Sequence, residues 1–347
     1  MSVHDVFVHP SGQDDNLGDS ALRAGLLQAL RGEGNRLHVY LDGQSSDYLS
    51  GIPLETRDIL YTSRQAWLQA SREVNRPVYV INAGEINPQP GVSFPGGKRI
   101  AEMRGVVNRG GIVVAAGLGL KDPTVAPKVV FDPKLREAAV MSWRDHGSRQ
   151  GAGFGDVAPD WAFSLGPDPS AWPGKDSRRL IAVTLRFDRP WPGERWLAAV
   201  RTLAARTATR VVTIAQVARD APRAVRLAGE LQGEYLVAPT TRHDHLDAHV
   251  RAVYSRSLAV VSDRAHALIM GATEGAYPVG TAADPQKIRR LLDTVGIGAL
   301  TGHHDGLAER AQNLELEVAG LESAIEAARR DLGLLTQRLN SAIDTAT

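Results

Sequence analysis

The densest chemistry in this 347-residue chain is the run Ser262-Asp263-Arg264-Ala265-His266. It follows the apolar, β-branched stretch Leu258–Val261 and precedes a helical apolar pattern and a second short strand at Tyr277–Gly280. A strand, a charged turn and a helix are how open α/β sheets present ligand groups at strand carboxyl ends. Arg264 and His266 therefore fall at a helix N-terminus, where free N–H groups and the positive end of the dipole favour an anion. The guanidinium adds a fork for carboxylate or phosphate, and the imidazole can move a proton near neutral pH. The arrangement suits an anionic substrate. A plainer reading is equally open on these residues alone: Arg264 pairs with Asp263 or a neighbour, and His266 caps the helix.

Other turns carry candidate groups. The loop Ser11-Gly12-Gln13-Asp14-Asp15-Asn16-Leu17-Gly18-Asp19 follows a first strand at Val6–His9 and opens a helix expected over Asp19–Arg31, with Asp19 or Ser20 as N-cap. It resembles a ligand-facing turn but lacks the three glycines of the dinucleotide fingerprint, and as a helix start it needs no ligand. Glu85 is the one acid of the turn Asn82-Ala83-Gly84-Glu85-Ile86-Asn87 and a candidate base. Arg186 ends the apolar strand Leu180–Leu185, with Trp191 and Trp196 just beyond, where indoles stack on sugars or simply pack. Lys287, in a helix opened by Asp284-Pro285, can reach an anion or remain a surface lysine. His245 and His249 stand one helical turn apart, yet no third ligand accompanies them, so no metal site is assigned.

Composition narrows the classes. Lys plus Arg number 40 against 39 Asp plus Glu, and a net charge of +1 gives no general attraction to nucleic acid or anionic membrane. The absence of cysteine removes disulfides, thiolate metal sites and thiol nucleophiles. The N-terminus shows neither a basic nor an apolar signal region, and the longest apolar run, around Gly111–Leu120, is too short to span a bilayer. The expectation is a soluble, cytoplasmic protein with no integral membrane segment.

The positioning elements read as alternating strands and helices. Buried strands at Leu37–Leu41, Val78–Asn82 and Ile112–Ala116 alternate with helices near Ser63–Glu73 and Lys98–Asn108, which predicts a mostly parallel sheet. A strand at Ala139–Trp143 leads into Arg144-Asp145-His146-Gly147-Ser148, after which the chain is rich in Gly, Pro, Asp and Ser as far as Asp176. A second set follows, with helices near Glu194–Arg206, Asp220–Leu231 and His245–Tyr254 and strands at Val211–Ala215 and Tyr235–Ala238. Three pieces are expected: residues 1–172, 173–305 and 306–347. In the last, Leu307, Ala311, Leu314, Val318, Leu321, Ile325, Ala328, Leu332, Leu335 and Leu339 keep an unbroken four-three spacing. That is a heptad seam of a and d positions, and a strict 3.5 repeat predicts a self-associating coiled-coil helix and a homo-oligomer rather than a helix docked on its own body.

Taken in order, these turns resemble the polysaccharide pyruvyl transferase family across about residues 5–298. The resemblance rests on Asn16 to Asp19, on Arg144, Asp145 and Ser148, on Asp160, Ala162 and Phe163, on Arg186, and on Arg264, His266, Asp284 and Lys287. It implies an α/β protein with two Rossmann-like domains in a glycosyltransferase-B-like arrangement and the active site in the cleft. It implies transfer of the pyruvyl group of phosphoenolpyruvate onto sugar hydroxyls of a cell-surface polysaccharide or its precursor, free or carrier-linked, with release of phosphate and no cofactor. His266 then becomes the candidate general acid, Arg264 and Arg186 the donor-binding cations, and Asn16, Asp19, Glu85, Arg144 and Lys287 the substrate-binding set. A nucleotide-sugar glycosyltransferase using Asp263 or Glu274 on the ribose, and a non-catalytic oligomeric scaffold, are the alternatives.

Overall fold

The computed structural model describes residues 3–41, 43–313 and 318–345. They form two compact units, one of residues 1–14, 19–161 and 330–347, the other of residues 15–18 and 162–329. The division thus falls after Trp161 rather than after residue 172, and the tail is shared between the units instead of standing apart.

The first part of the chain contains β1 (His4–Val8), α1 (Leu17–Ala29), β2 (Asn35–Tyr40), α2 (Ser46–Ser50), β3 (Ile59–Tyr61), α3 (Arg64–Glu73), β4 (Val78–Val80), β5 (Gly84–Ile86), β6 (Ser93–Phe94), α4 (Gly97–Val107), β7 (Ile112–Leu120), β8 (Val130–Phe131), α5 (Pro133–Arg136), β9 (Val140–Trp143), α6 (His146–Ala152) and β10 (Asp156–Val157). The main sheet runs β10-β9-β7-β4-β1-β2-β3 with β5 also on β7, and all its pairings are parallel. Strands covered on both faces read as continuous apolar runs, as β7 does. One core gathers Phe7, Trp67, Met103, Leu118, Leu135 and Trp143. Chain order reverses about β1, whose neighbours are β2 and β4, so the switch point lies between β1 and β4.

Unit 2 contains β11 (Leu180–Thr184), α7 (Glu194–Arg206), β12 (Arg210–Thr213), α8 (Ala221–Glu230), β13 (Glu234–Tyr235), α9 (His243–Ser255), β14 (Ser257–Ser262), α10 (Ala265–Thr273), β15 (Tyr277–Ala282), α11 (Gln286–Asp293), β16 (Thr301–His303) and α12 (Leu307–Asn313). Its parallel sheet runs β13-β12-β11-β14-β15-β16 and switches direction between β11 and β14. β11 and β14 are buried at every residue, as central strands with helices on both faces must be.

Helix α1 starts at Leu17, earlier than the expected Asp19, because the Asn16 side chain itself accepts the Gly18 N–H at 3.1 Å. The tail departs from expectation more sharply. The last helix, α13 (Val318–Thr345), follows α12, but Leu321, Ile325, Ala328, Leu332, Leu335 and Leu339 are all at most 3 % exposed within the single chain. Leu307 and Ala311 likewise belong to the core beneath α7. Leu314 and the Val318 side chain lie outside the described residues. The seam is therefore covered by the protein's own body, which corrects the expected coiled coil and removes the ground for a homo-oligomer built on it. Polar residues beside the seam are engaged too. Arg329 donates to the carbonyls of Phe163, Leu165 and Pro167 in unit 2, while in unit 1 Asn340 bonds the Asn35 side chain at 3.1 Å and Arg338 pairs with Asp156 at 2.7 Å.

Candidate active site

In unit 2 the carboxyl ends of β11 and β14, side by side at the switch point, carry Arg186 and the Asp263-Arg264-Ala265-His266 turn. Ser262 fastens these ends together: its hydroxyl donates to the Thr184 carbonyl at 2.7 Å and accepts the Arg264 N–H at 2.9 Å. Arg264 is the N-cap of α10 and His266 lies in its first turn. The Arg264 guanidinium forms a two-pronged pair with Asp220, through Nε to Oδ2 and through Nη2 to Oδ1 at 2.7 Å. Asp220, fully buried, also accepts the Phe187 N–H at 2.9 Å. Arg186 pairs in the same two-pronged way with Asp188, at 2.9 and 2.7 Å, and holds that carboxyl down to about 2. Both arginines are thus fixed along the Nε–Nη2 edge, leaving Nη1 outside the pair. The plainer reading of Arg264 holds in this respect, although its partner is Asp220 and not Asp263.

Asp263 is 7 % exposed and accepts the Arg186 N–H through Oδ1 at 2.8 Å. Its Oδ2 has no hydrogen-bond partner among the described residues, and burial pushes the carboxyl up to about 6. The loop after β1 completes the site. Residues 15–18 belong to unit 2, where Asn16 bridges to Val217 in antiparallel sense, Leu17 N–H donates to the Gln216 carbonyl at 3.1 Å and Asp15 pairs with Arg219 at 2.7 Å. Gly18 lies so close to His266 that a Cβ there would overlap the imidazole. The motifs Asn16-x-Gly18 and Arg264-x-His266, far apart in sequence, are therefore in contact within one unit. Sequence reasoning missed Asp220. Its only local signal is an acid just ahead of α8, after the end of β12.

Residues 16–284 match the polysaccharide pyruvyl transferase family. The chain belongs to that family. No curated protein sequence matches it. Among solved structures, Anabaena HepE in complex with UDP is similar with a TM-score of 0.56 at 12 % identity, over 99 % of this chain and 100 % of that one. S. aureus MnaA with UDP gives 0.54 at 11 % identity, over 97 % and 94 %. A variant of the Thermobaculum terrenum O-GlcNAc transferase gives 0.51 at 15 %, over 100 % and 69 %. Likeness at such identities shows the fold, which is glycosyltransferase-B-like. Among the described residues no helix is long and apolar enough to cross a membrane.

The remaining motifs of this pyruvyl transferase family member have visible structural duties. Arg144, 4 % exposed, pairs with the buried Asp160 at 2.9 Å, and Asp145 caps α6 through the Ser148 N–H at 2.7 Å. Ser148 in turn accepts the Leu120 N–H at 2.8 Å. Trp161, beside Asp160, donates to the Ala116 carbonyl at 3.1 Å and packs on Gly117, whose φ of +89° and lack of a Cβ admit the indole. Arg144 accordingly braces unit 1 through Asp160. Asp19, also in unit 1, accepts the Gln13 N–H at 2.7 Å and pairs with Arg23 at 3.3 Å, shaping the loop after β1. Glu85 is exposed on β5, and Lys287 is half-buried in the first turn of α11. Trp196 is core and donates to Thr281 at 3.2 Å, while Arg223 and Arg226 cover the Trp191 ring, so neither indole is offered as a bare sugar platform.

Proposed function

We propose that the protein moves the pyruvyl group of phosphoenolpyruvate onto two hydroxyls of a sugar, forming a ketal and releasing phosphate. The observation that carries this reading is the joining, at the switch point of unit 2, of Arg186, Arg264 and His266 with the Asn16–Gly18 turn in a chain of this family. Phosphoenolpyruvate presents a carboxylate and a phosphate. The Nη1 edges of Arg186 and Arg264, pre-oriented by Asp188 and Asp220, suit those two groups. In the reaction the enol C3 gains a proton, a sugar oxygen attacks C2, the C2–O bond to phosphorus breaks, and the second hydroxyl closes the ketal. Of the two hydroxyl protons released, one balances the proton delivered to C3 and the other leaves with phosphate. His266 is assigned the proton delivery, and the arginines the charge that builds on the departing phosphate.

A nucleotide-sugar reading draws on the UDP bound by HepE and MnaA. It is disfavoured at Glu274, one of the two acids offered for a ribose, which is buried and paired with Arg251 at 2.8 Å; the other, Asp263, is buried and accepts the Arg186 N–H. The deciding experiment offers the protein phosphoenolpyruvate or UDP-glucose in turn, with a panel of sugar acceptors, and follows phosphate release and ketal formation by NMR. Glycosyl transfer from UDP-glucose without phosphate release from phosphoenolpyruvate overturns the proposal.

A further inference from the structure

We infer that Asp263 is a proton-linked positioning residue: when an anion is seated by Arg186 and Arg264, the Asp263 carboxyl takes up a proton from solution. This deepens the transferase reading, on which it rests, by naming how the site adjusts its charge when the donor arrives.

The cations facing Asp263 come from three places in unit 2. Arg264 lies on its own turn, Arg186 follows β11, and Arg223 stands in α8. Asp188 and Asp220 hold Arg186 and Arg264 in two-pronged pairs, while Arg223 donates to the carbonyls of Phe187, Arg189 and Pro190. Three guanidiniums thus meet three carboxylates, and the cluster is balanced before any ligand arrives. An anion at the Nη1 edges of Arg186 and Arg264 leaves it with an excess of negative charge.

The three acids do not meet that excess equally. Asp188 and Asp220 are each bonded directly to a guanidinium. Asp263 is not: its Oδ1 accepts the Arg186 N–H at 2.8 Å, and its Oδ2 has no hydrogen-bond partner among the described residues. At 7 % exposure the ionised carboxylate is held by one amide and by the field of the neighbouring arginines, a costly state for a buried charge. Burial already lifts the carboxyl to about 6 against that field. A ligand anion draws on the same arginines and adds a like charge beside them, which lifts the carboxyl further. The proton therefore goes to Asp263, which needs no cavity to receive it. The neutral carboxyl still accepts the Arg186 N–H, so the end of β11 keeps its place.

The test is calorimetric titration of the full chain with sodium sulfate, a dianion that does not titrate near neutrality, in buffers of different ionisation heat. The dependence on buffer counts the protons taken up. A lift from about 6 to about 8 turns the carboxyl from mostly ionised to mostly protonated at pH 7, so about 0.8 proton per sulfate is expected. Sulfate affinity should then fall about 25-fold between pH 6 and pH 8. Asp263→Asn, which cannot ionise but keeps an oxygen for the Arg186 N–H, is expected to bind sulfate and lose that uptake. His266 is the other group of the turn able to gain a proton near neutral pH, so His266→Ala is measured too, and the uptake due to Asp263 should persist there. Phosphoenolpyruvate at pH 8, where its phosphate is almost fully ionised, is the second probe and should draw about half a proton. An uptake that Asp263→Asn leaves unchanged overturns the inference, as does sulfate binding to the parent with no uptake, or failure of both anions to bind. The two readings fail separately. A chain that draws an Asp263-dependent proton with sulfate but ignores phosphoenolpyruvate loses only the donor assignment. One that consumes phosphoenolpyruvate with no Asp263-dependent proton loses only the role given to Asp263.

Discussion

Asp263 is held in a state that costs the folded protein energy at neutral pH. Burial raises its carboxyl from 3.8 to about 6, so between those values the native state binds the proton more tightly than the unfolded chain, and stability falls as pH rises through that window. Asp263→Asn removes the ionisation and keeps an oxygen for the Arg186 N–H. It is expected to be more stable than the parent at pH 8 by up to about 3 kcal/mol, with the gap closing toward pH 4. Urea unfolding across that range checks it, and a gap that does not change with pH would show that the Asp263 carboxyl titrates in the folded protein as it does in the unfolded chain. His266 gives a kinetic expectation. If it delivers the proton, His266→Ala slows transfer by roughly two to four orders of magnitude while phosphoenolpyruvate affinity stays within a few-fold. Gly18→Ala should act in the same direction, because the added methyl overlaps the imidazole. Parental turnover in Gly18→Ala would mean the ring is not seated by that glycine. The sequence showed the arginines and the histidine through their place after an apolar strand. It could not show that Arg264 is clamped by Asp220, forty-four residues away, since no local pattern couples a strand-end arginine to an acid ahead of another helix.

At the scale of elements, the strands were legible because central parallel strands are apolar runs closed by turn residues, and β11, β14 and α7 lie where composition puts them. The tail was misread for a physical reason. A four-three repeat says that one face of a helix is apolar, not what covers that face. Here Leu332, Leu335, Leu339 and Ile343 are buried, and His4, Asn35 and Asp156 meet the residues beside them. Leu339→Ala is therefore expected to cost roughly 2–5 kcal/mol, the usual range for emptying a core leucine site. Its midpoint of denaturation should not depend on protein concentration. A concentration-dependent midpoint in the parent, lost in the variant, would restore self-association as the role of the seam.

For the molecule as a whole, donor binding and stability are linked. A ligand that binds only the native state adds about 2.7 kcal/mol at a hundred times its dissociation constant. Under the proposed function phosphoenolpyruvate is expected to give such a gain in equilibrium unfolding, and UDP-glucose is not. The reverse result would exchange the two readings. The interleaving of the units also governs how the protein is made. Residues 15–18 leave the ribosome early, but the unit they belong to lacks β14 until some two hundred and forty further residues have been added. Unit 1 has its strands early, yet the apolar surface that Leu332, Leu335, Leu339 and Ile343 will cover stays open until the chain beyond residue 330 emerges. Neither unit can be completed on the nascent chain in the order in which it is synthesised. Exposed apolar surface during translation is what chaperones bind, so expression of this protein should depend on their supply more than its final stability would suggest.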